Sequence, residues 1–314
     1  MVNYFFKRLG FVLVTVFITS LLIFSITQIL PGDVARVILG REAGEPALQA
    51  LREELGLTDP APVQYWNWLT RFIRGDWGVS FSTKSEIRTI VLERLWNSLM
   101  LAGLTMLIAV PLAVTLGVLA GLNEHKSLDH IISIGALCVV GLPEFVTGLI
   151  LIQIFAFQLK IFPANSSIRP DTPFIQALPM LALPALTATL VLLAYIARLT
   201  RAGVIEELKQ PYVRTADLKG LPRRTVIFKH VLRNALMPTI TIIAISSGWL
   251  ISGLIVIENV FNYPGLGRLM VFAIDRRDLP LIQALAMVTV LGFALANLFA
   301  DFLHVYLNPR VRYG

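Results

Sequence analysis

Charge is scarce in this chain. Of its 314 residues only 15% are charged, while 56% are hydrophobic. A soluble domain averages about 25% charged residues, so this balance excludes an ordinary soluble globule. Mean hydropathy is +0.72. Cysteine is nearly absent: Cys138 stands alone inside an apolar run and excludes an intrachain disulfide. The sequence has no G-x-x-x-x-G-K-[ST], so it lacks a Walker-type ATP site. It also lacks H-E-x-x-H, C-x-x-C and the G-x-S-x-G nucleophile elbow. His125 and His130 lie too far apart in sequence to share one helix face. Nothing here equips the chain as an enzyme by itself. Work on a substrate would have to draw on a gradient or on a partner.

What the sequence has is long apolar runs. Leu9–Gly32, Leu95–Asn123, Thr172–Ala197, Asn234–Ile257 and Leu279–Ala300 carry no charge, and Ile131–Leu159 carries only Glu144. A bilayer core of about 30 Å needs about 20 apolar residues as helix. Each run is long enough, which predicts six membrane-spanning helices in an all-α membrane protein. Open strands are excluded because lipid offers backbone groups no hydrogen-bond partners. The first run, preceded by Lys7 and Arg8, exceeds a signal-peptide core and is followed by no small-residue cleavage site, so it reads as an uncleaved anchor. Pro111, Pro143, Pro179 and Pro184 fall inside runs and are expected to kink them.

Orientation follows from the basic residues. With the N-terminus inside, fourteen Lys or Arg fall on inner segments and five on the two short outer loops. The outer segment of residues 33–94 is too long to count in the positive-inside rule. Both termini are thus expected in the cytoplasm. The net charge of +7 reflects one membrane face and its anionic headgroups, with no suggestion of nucleic acid. The chain divides into residues 1–32 (N-terminus and first span), residues 33–94 (a periplasmic segment) and residues 95–314 (the remaining spans). In the periplasmic segment "EPALQALREELGL" has helical spacing. Four of five Trp (Trp66, Trp68, Trp77, Trp96) lie in or just after it. These features predict a short helical subdomain at the headgroup level, with an aromatic substrate site as the alternative.

The connection between the fourth and fifth spans, about residues 201–233, is far longer than the 2–8 residues usual between helices. "YVRTADLKGLPRRTVIFKHVLR" has apolar residues at three- and four-residue steps, broken at Gly220 and Pro222. Two short helices joined at Gly220 are expected, basic on their exposed side. Spacing alone leaves two uses open: resting on headgroups, or being gripped by a soluble partner.

At these residues the chain resembles the permease subunits of binding-protein-dependent ABC importers, of the dipeptide/oligopeptide/nickel branch. "LPGDVA" (Leu30–Ala35), "LGLTDPAPVQYWNWL", "GDWGVSF", "YVRTADLKGL", "IENVFNYPGLGRLMVFAIDRRDLPLIQ" (Ile257–Gln283) and "NPRVR" (Asn308–Arg312) carry the resemblance across essentially the whole chain. It implies a type I ABC importer permease fold with an outer helical segment and a cytoplasmic coupling loop. Arg214, Thr215, Ala216, Asp217, Gly220 and Leu221 would form the coupling loop. Arg214-Thr215-Ala216 falls where the superfamily has Glu-Ala-Ala, and Gly220 on the loop glycine. Three departures stand out: that Glu is missing, the downstream Ile-x-Leu-Pro position reads His230-Val231-Leu232-Arg233 with the proline displaced to Pro238, and Asp217-Leu218 replaces the branch's common Arg-Ala. The implied partners are a second homologous permease subunit, two ATPase subunits and a periplasmic substrate-binding protein, in a bacterial inner membrane. ATP and Mg would sit on the ATPases, and this chain would hold no cofactor or metal.

Glu144, a charge inside a span, is a candidate for the translocation pathway, placed about 20 Å up a helix from Ile131. The alternative is pairing with a neighbouring helix. Glu258, Pro264, Gly265, Gly267 and Arg268 belong to an outer hairpin expected to serve as lid or docking surface. The resemblance favours di- or oligopeptides as cargo over nickel or a nickel chelate. A gradient-driven secondary transporter, with Glu144 as proton site, and a non-transporting scaffold are the rivals. No internal repeat or pair of broken helices in the sequence supports the former.

Overall fold

The computed structural model describes residues 2–29, 36, 39, 43–54, 56–168 and 172–307. The motifs at Leu30–Ala35 and Asn308–Arg312 lie outside the described residues. Among the described residues the chain is helical, with one isolated antiparallel bridge, Val79 to Glu86, and no strand.

In chain order the helices are α1 (Val2–Ile29), α2 (Glu45–Glu54), α3 (Ala61–Arg74), α4 (Ile87–Leu122), α5 (Ser127–Val140), α6 (Glu144–Leu151, prolonged by a π-helical turn Ile152–Gln158) and α7 (Phe174–Leu208). Then come α8 (Pro211–Leu218), α9 (Arg223–Ala235, with π geometry over Val226–Val231), α10 (Met237–Gly253), α11 (Ile255–Val260), α12 (Leu266–Asp275) and α13 (Leu279–Leu307). Among the described residues four helices, α1, α4, α7 and α13, are long and apolar enough to cross a membrane unaided. The other two candidate spans are bent pairs: α5 with α6 at 105°, and α9 with α10 at 47°.

Those bends meet one expectation and correct another: the run holding Pro143 is indeed turned, and bent pairs of helices are present where none was read from the sequence. The third apolar run is not one straight helix, because Pro143 cannot donate into the ladder and the chain leaves helical geometry at Gly141–Pro143. A broken span therefore exists where the sequence showed none. Conversely, Pro111 sits inside a continuous α4, and Pro179 and Pro184 inside a continuous α7. At Pro184 the missing donor is replaced: Ser166 Oγ donates to the carbonyl of Met180, four residues earlier, at 2.6 Å. A side chain from outside the helix thus satisfies the acceptor that proline frees.

The helices pack into two compact units. The first comprises Leu99–Tyr263 and the chain from Leu295 on. Its core is built on α7, the most buried of the spans. Leu181, Leu183, Ala185, Ala188 and Ile196 pack there with Leu101, Ala109, Leu250, Ile257 and Phe261. The second comprises Val2–Ser98 and Pro264–Ala294, with a core of Phe72, Ile87, Val91, Leu266, Ala273, Leu281 and Leu285. Its α1 exposes Phe11, Leu13, Val14 and Phe17, as a helix facing lipid tails would.

In the second unit α3 ends where Gly75 adopts φ +83° and its N–H caps the carbonyl of Phe72. Its aromatics split by role. Tyr65, Trp68, Phe72 and Trp77 form a ladder, Phe72 and Trp77 stacking at 5.1 Å, and Tyr65 shares a 2.8 Å hydrogen bond with Ser20 of α1. Trp66 and Trp96 point outward, 62% and 64% exposed, as interfacial tryptophans do. Farther along, Asp278 is fully buried and accepts from Ser80 Oγ at 2.6 Å and Ser82 N at 2.9 Å, fastening the 78–86 turn to the start of α13.

Candidate functional site

The segment after α7 folds as two short helices. Pro211 opens α8, a position where the absent N–H costs nothing. Gly220 closes it at φ +72°, with Gly220 N donating to Asp217 O and Leu221 N to Ala216 O. A Cβ at Gly220 would meet nothing within 4 Å, so glycine is favoured there by backbone angle alone. Pro222 then precedes α9.

One face of this pair is buried. Val213 and Ala216 pack with Val226, Val231, Ala235 and, from α7, Val204. The other face is open: Arg214, Thr215, Asp217, Lys219, Gly220 and Leu221 are exposed, and Leu218 is 80% exposed. Ala216 thus stands apart from the other coupling-loop candidates, as a core contact. Asp217 pairs with Arg223 across the Gly220 turn at 3.2 Å, so the residue that departs from the branch pattern acts locally as a brace. Tyr212 ties the start of α8 to α7 and α9. Its hydroxyl donates to Glu207 and lies 3.3 Å from Asn234 Nδ2. Burial and the Glu207 carboxylate push the phenol above its ordinary value, which keeps it a donor.

Contacts unseen in the sequence join this element to the spans. A Cβ on Gly203 of α7 would come within 2.5 Å of Ala235 O. On α4, Gly117 and Gly121 approach α7 as closely: their Cβ atoms would lie 2.6 Å from Ala197 O and 2.7 Å from Val204 Cβ. Spacing was the available signal, because glycines four apart on an apolar helix let another backbone come near. Asp129, 1% exposed at the start of α5, takes a bidentate pair from Arg201 of α7, with Nη2 to Oδ2 at 2.7 Å. Backbone N–H of His125 and Ser133 Oγ complete its shell. Lys209 meets Glu124 nearby at 3.1 Å. The ends of α4, α5, α7 and α9 are thereby one stiff assembly.

Glu144 is not 20 Å up a continuous helix, because the 105° bend precedes it. It is half-buried in the first turn of α6, where a helix N-terminus favours a carboxylate, and has no side-chain partner among the described residues. In the outer hairpin Glu258 is 1% exposed, and Tyr263 N caps its carbonyl at 2.8 Å. Pro264, Gly265 and Gly267 are buried and Arg268 half-buried. Asn97 Nδ2 donates to Pro264 O and Leu266 N to Ser98 Oγ, both at 2.8 Å. The Pro-Gly turn is therefore a packed anchor, and any exposed lid surface lies elsewhere in the hairpin.

Comparison with known proteins decides the family. The family described as binding-protein-dependent transport system inner membrane component matches residues 113–313, and its N-terminal companion family matches residues 1–102. The chain belongs to this family. It is a permease subunit of an ABC importer, of the dipeptide/oligopeptide/nickel branch, and a multi-pass protein of the inner membrane. Such permeases work with a substrate-binding protein and ATPase subunits. The chain is 38% identical over 313 residues, all of both chains, to the glutathione transport system permease protein GsiC of Pectobacterium atrosepticum. It is 36% identical over the same span to GsiC of Escherichia coli strain K12. Among solved structures it is similar to an amino acid ABC transporter crystallised with histidines, at 19% identity and a TM-score of 0.49, covering 68% of this chain and 94% of that one.

Proposed function

We propose that this permease forms half of the translocation pathway for a small peptide-like solute and is driven by ATP hydrolysed, with Mg, on two partner ATPase subunits. A second homologous permease would supply the other half. The carrying observation is the two-helix element at residues 211–235: one face packs rigidly on α7, and the other presents Arg214, Thr215, Asp217, Leu218, Gly220 and Leu221 unpacked. A short stiff element with one free face is what converts closure of a soluble motor into movement of spans. Relatives named for glutathione, a tripeptide, support peptide-like cargo. Both termini then lie in the cytoplasm, and the side of the outer hairpin faces the binding protein.

Within the path we assign Glu144 to meet a positive group of the cargo. An unpaired carboxylate at a helix break within a span is costly unless water or cargo reaches it. ATP-dependent uptake of labelled peptides, glutathione included, by membrane vesicles carrying the full complex tests the reading. Uptake lost on Gly220→Leu, with permease levels intact and the ATPase no longer co-purifying, supports it. Undiminished uptake without the ATPase, or nickel accumulation in place of peptide, overturns it.

A further inference from the structure

A cavity of about 850 Å³ lies within the second unit, between the Ile29 end of α1, helix α3, the 76–84 turn and the start of α13. Its size falls in the roughly 300–1,000 Å³ of small-molecule sites. The walls are fixed. Gln283 of α13 donates to Thr27 of α1 at 2.7 Å, and Gln64 takes a bond from Gln28 and donates to Leu57 O and Asp59 O. The buried Asp278 carboxylate accepts from the Ser80 hydroxyl and the Ser82 backbone N–H. Trp68, Phe72 and Trp77 supply an aromatic wall.

Charges of both signs line this space without meeting. Arg71 and Lys84 contribute cations and Glu53, Asp59 and Asp76 carboxylates, all five side chains exposed to solvent. Among the described residues neither cation has a side-chain partner, although acids share the same cavity. Lys84 is also held at φ +57°, in the left-handed region that side chains disfavour, with its N–H bound to Ser80 O. A non-glycine residue kept in such backbone at a cavity points to a use for its side chain.

We propose that this cavity binds a small zwitterion, its anionic group at Arg71 and Lys84 and its ammonium at the facing carboxylates. Separated opposite charges around an open, aromatic-floored cleft fit a small ligand carrying both signs better than a flat protein surface, which needs about 800 Å² per partner and few unpaired charges at its centre. A free peptide and an ethanolamine phospholipid headgroup share this chemistry. The cavity adjoins the ends of two candidate spans, Phe6–Ile29 and Leu279–Phe302, which is headgroup level. Binding here does not depend on what the permease transports.

The purified full-length chain in detergent tests this by two arms: calorimetry with trialanine, against N-acetylated, C-amidated trialanine, and native mass spectrometry with phosphatidylethanolamine, against phosphatidylglycerol. Saturable binding of free but not capped trialanine identifies a peptide source. Selective retention of phosphatidylethanolamine identifies a lipid source. In either case Arg71→Ala weakens binding about tenfold, the scale of one charge-assisted bond, while Arg74→Ala, on the same helix but off the cavity, leaves it unchanged. Lys84→Gly relieves the backbone and so weakens binding with Tm unchanged or raised, which separates a ligand role from a structural one. The proposal is overturned if neither zwitterion binds in preference to its control, or if binding ignores Arg71→Ala and Lys84→Gly.

Discussion

In the proposed coupling, Asp129 and Gly203 tie the inner loop to the spans. Asp129 is buried and Arg201 only partly so, and their paired hydrogen bonds replace lost solvent. Asp129→Asn leaves the guanidinium against a neutral amide, and should cost about 3 kcal/mol in unfolding free energy. Thermal unfolding of the purified variant in detergent checks this. A Tm equal to wild type would show the pair to be incidental. Gly203 is constrained differently, by space. Gly203→Val drives side-chain atoms into Ala235 O and should destabilise by about 1–3 kcal/mol while lowering uptake. Uptake per folded molecule, from size-exclusion-corrected vesicle assays, separates the two effects. Neither residue stood out in the sequence. Asp129 was one acid at the mouth of an apolar run, and its partner lies 72 residues away. Gly117 and Gly121 carried a legible spacing, but their target on α7 did not follow from it.

At the scale of elements, the helix pair after α7 was legible in outline. Apolar steps at Val213, Ala216, Val226 and Val231 are the residues that turn inward, and Gly220 is where the backbone goes left-handed. What the pattern could not give is the Asp217–Arg223 brace, because an exposed ion pair depends on the turn it spans. Gly220→Ala meets no neighbour and strains only φ, so it should cost about 1 kcal/mol and leave the chain folded. If uptake nevertheless falls severalfold at constant permease level, the lost term is a contact with the motor. Unchanged uptake would remove Gly220 from the coupling surface. The third span marks the opposite case. Pro143, expected to kink it, breaks it by 105°, while Pro184, expected to kink as well, leaves α7 continuous, with Ser166 donating to the carbonyl that proline frees. Ser166→Ala should therefore lower the Tm, by the penalty of about 1–3 kcal/mol for a buried carbonyl left unpaired. An unaltered Tm would mean that water or another group satisfies Met180 O.

For the whole molecule, composition alone announced an all-helical membrane protein, since lipid permits little else to apolar runs of this length. The pairing of distant parts was beyond it. Ser80 with Asp278, and Thr27 with Gln283, join the first third of the chain to the last quarter, and no local periodicity encodes such contacts. The family explains why a chain with no nucleotide motif can still take part in active transport: binding energy released on one subunit does work on another through a shared two-state element. The decisive measurement is peptide uptake into proteoliposomes, with the permease reconstituted alone and in the full complex. The account predicts uphill accumulation only when the ATPases and ATP are both present, and none from the permease alone. Accumulation against a gradient by the solitary permease would contradict it.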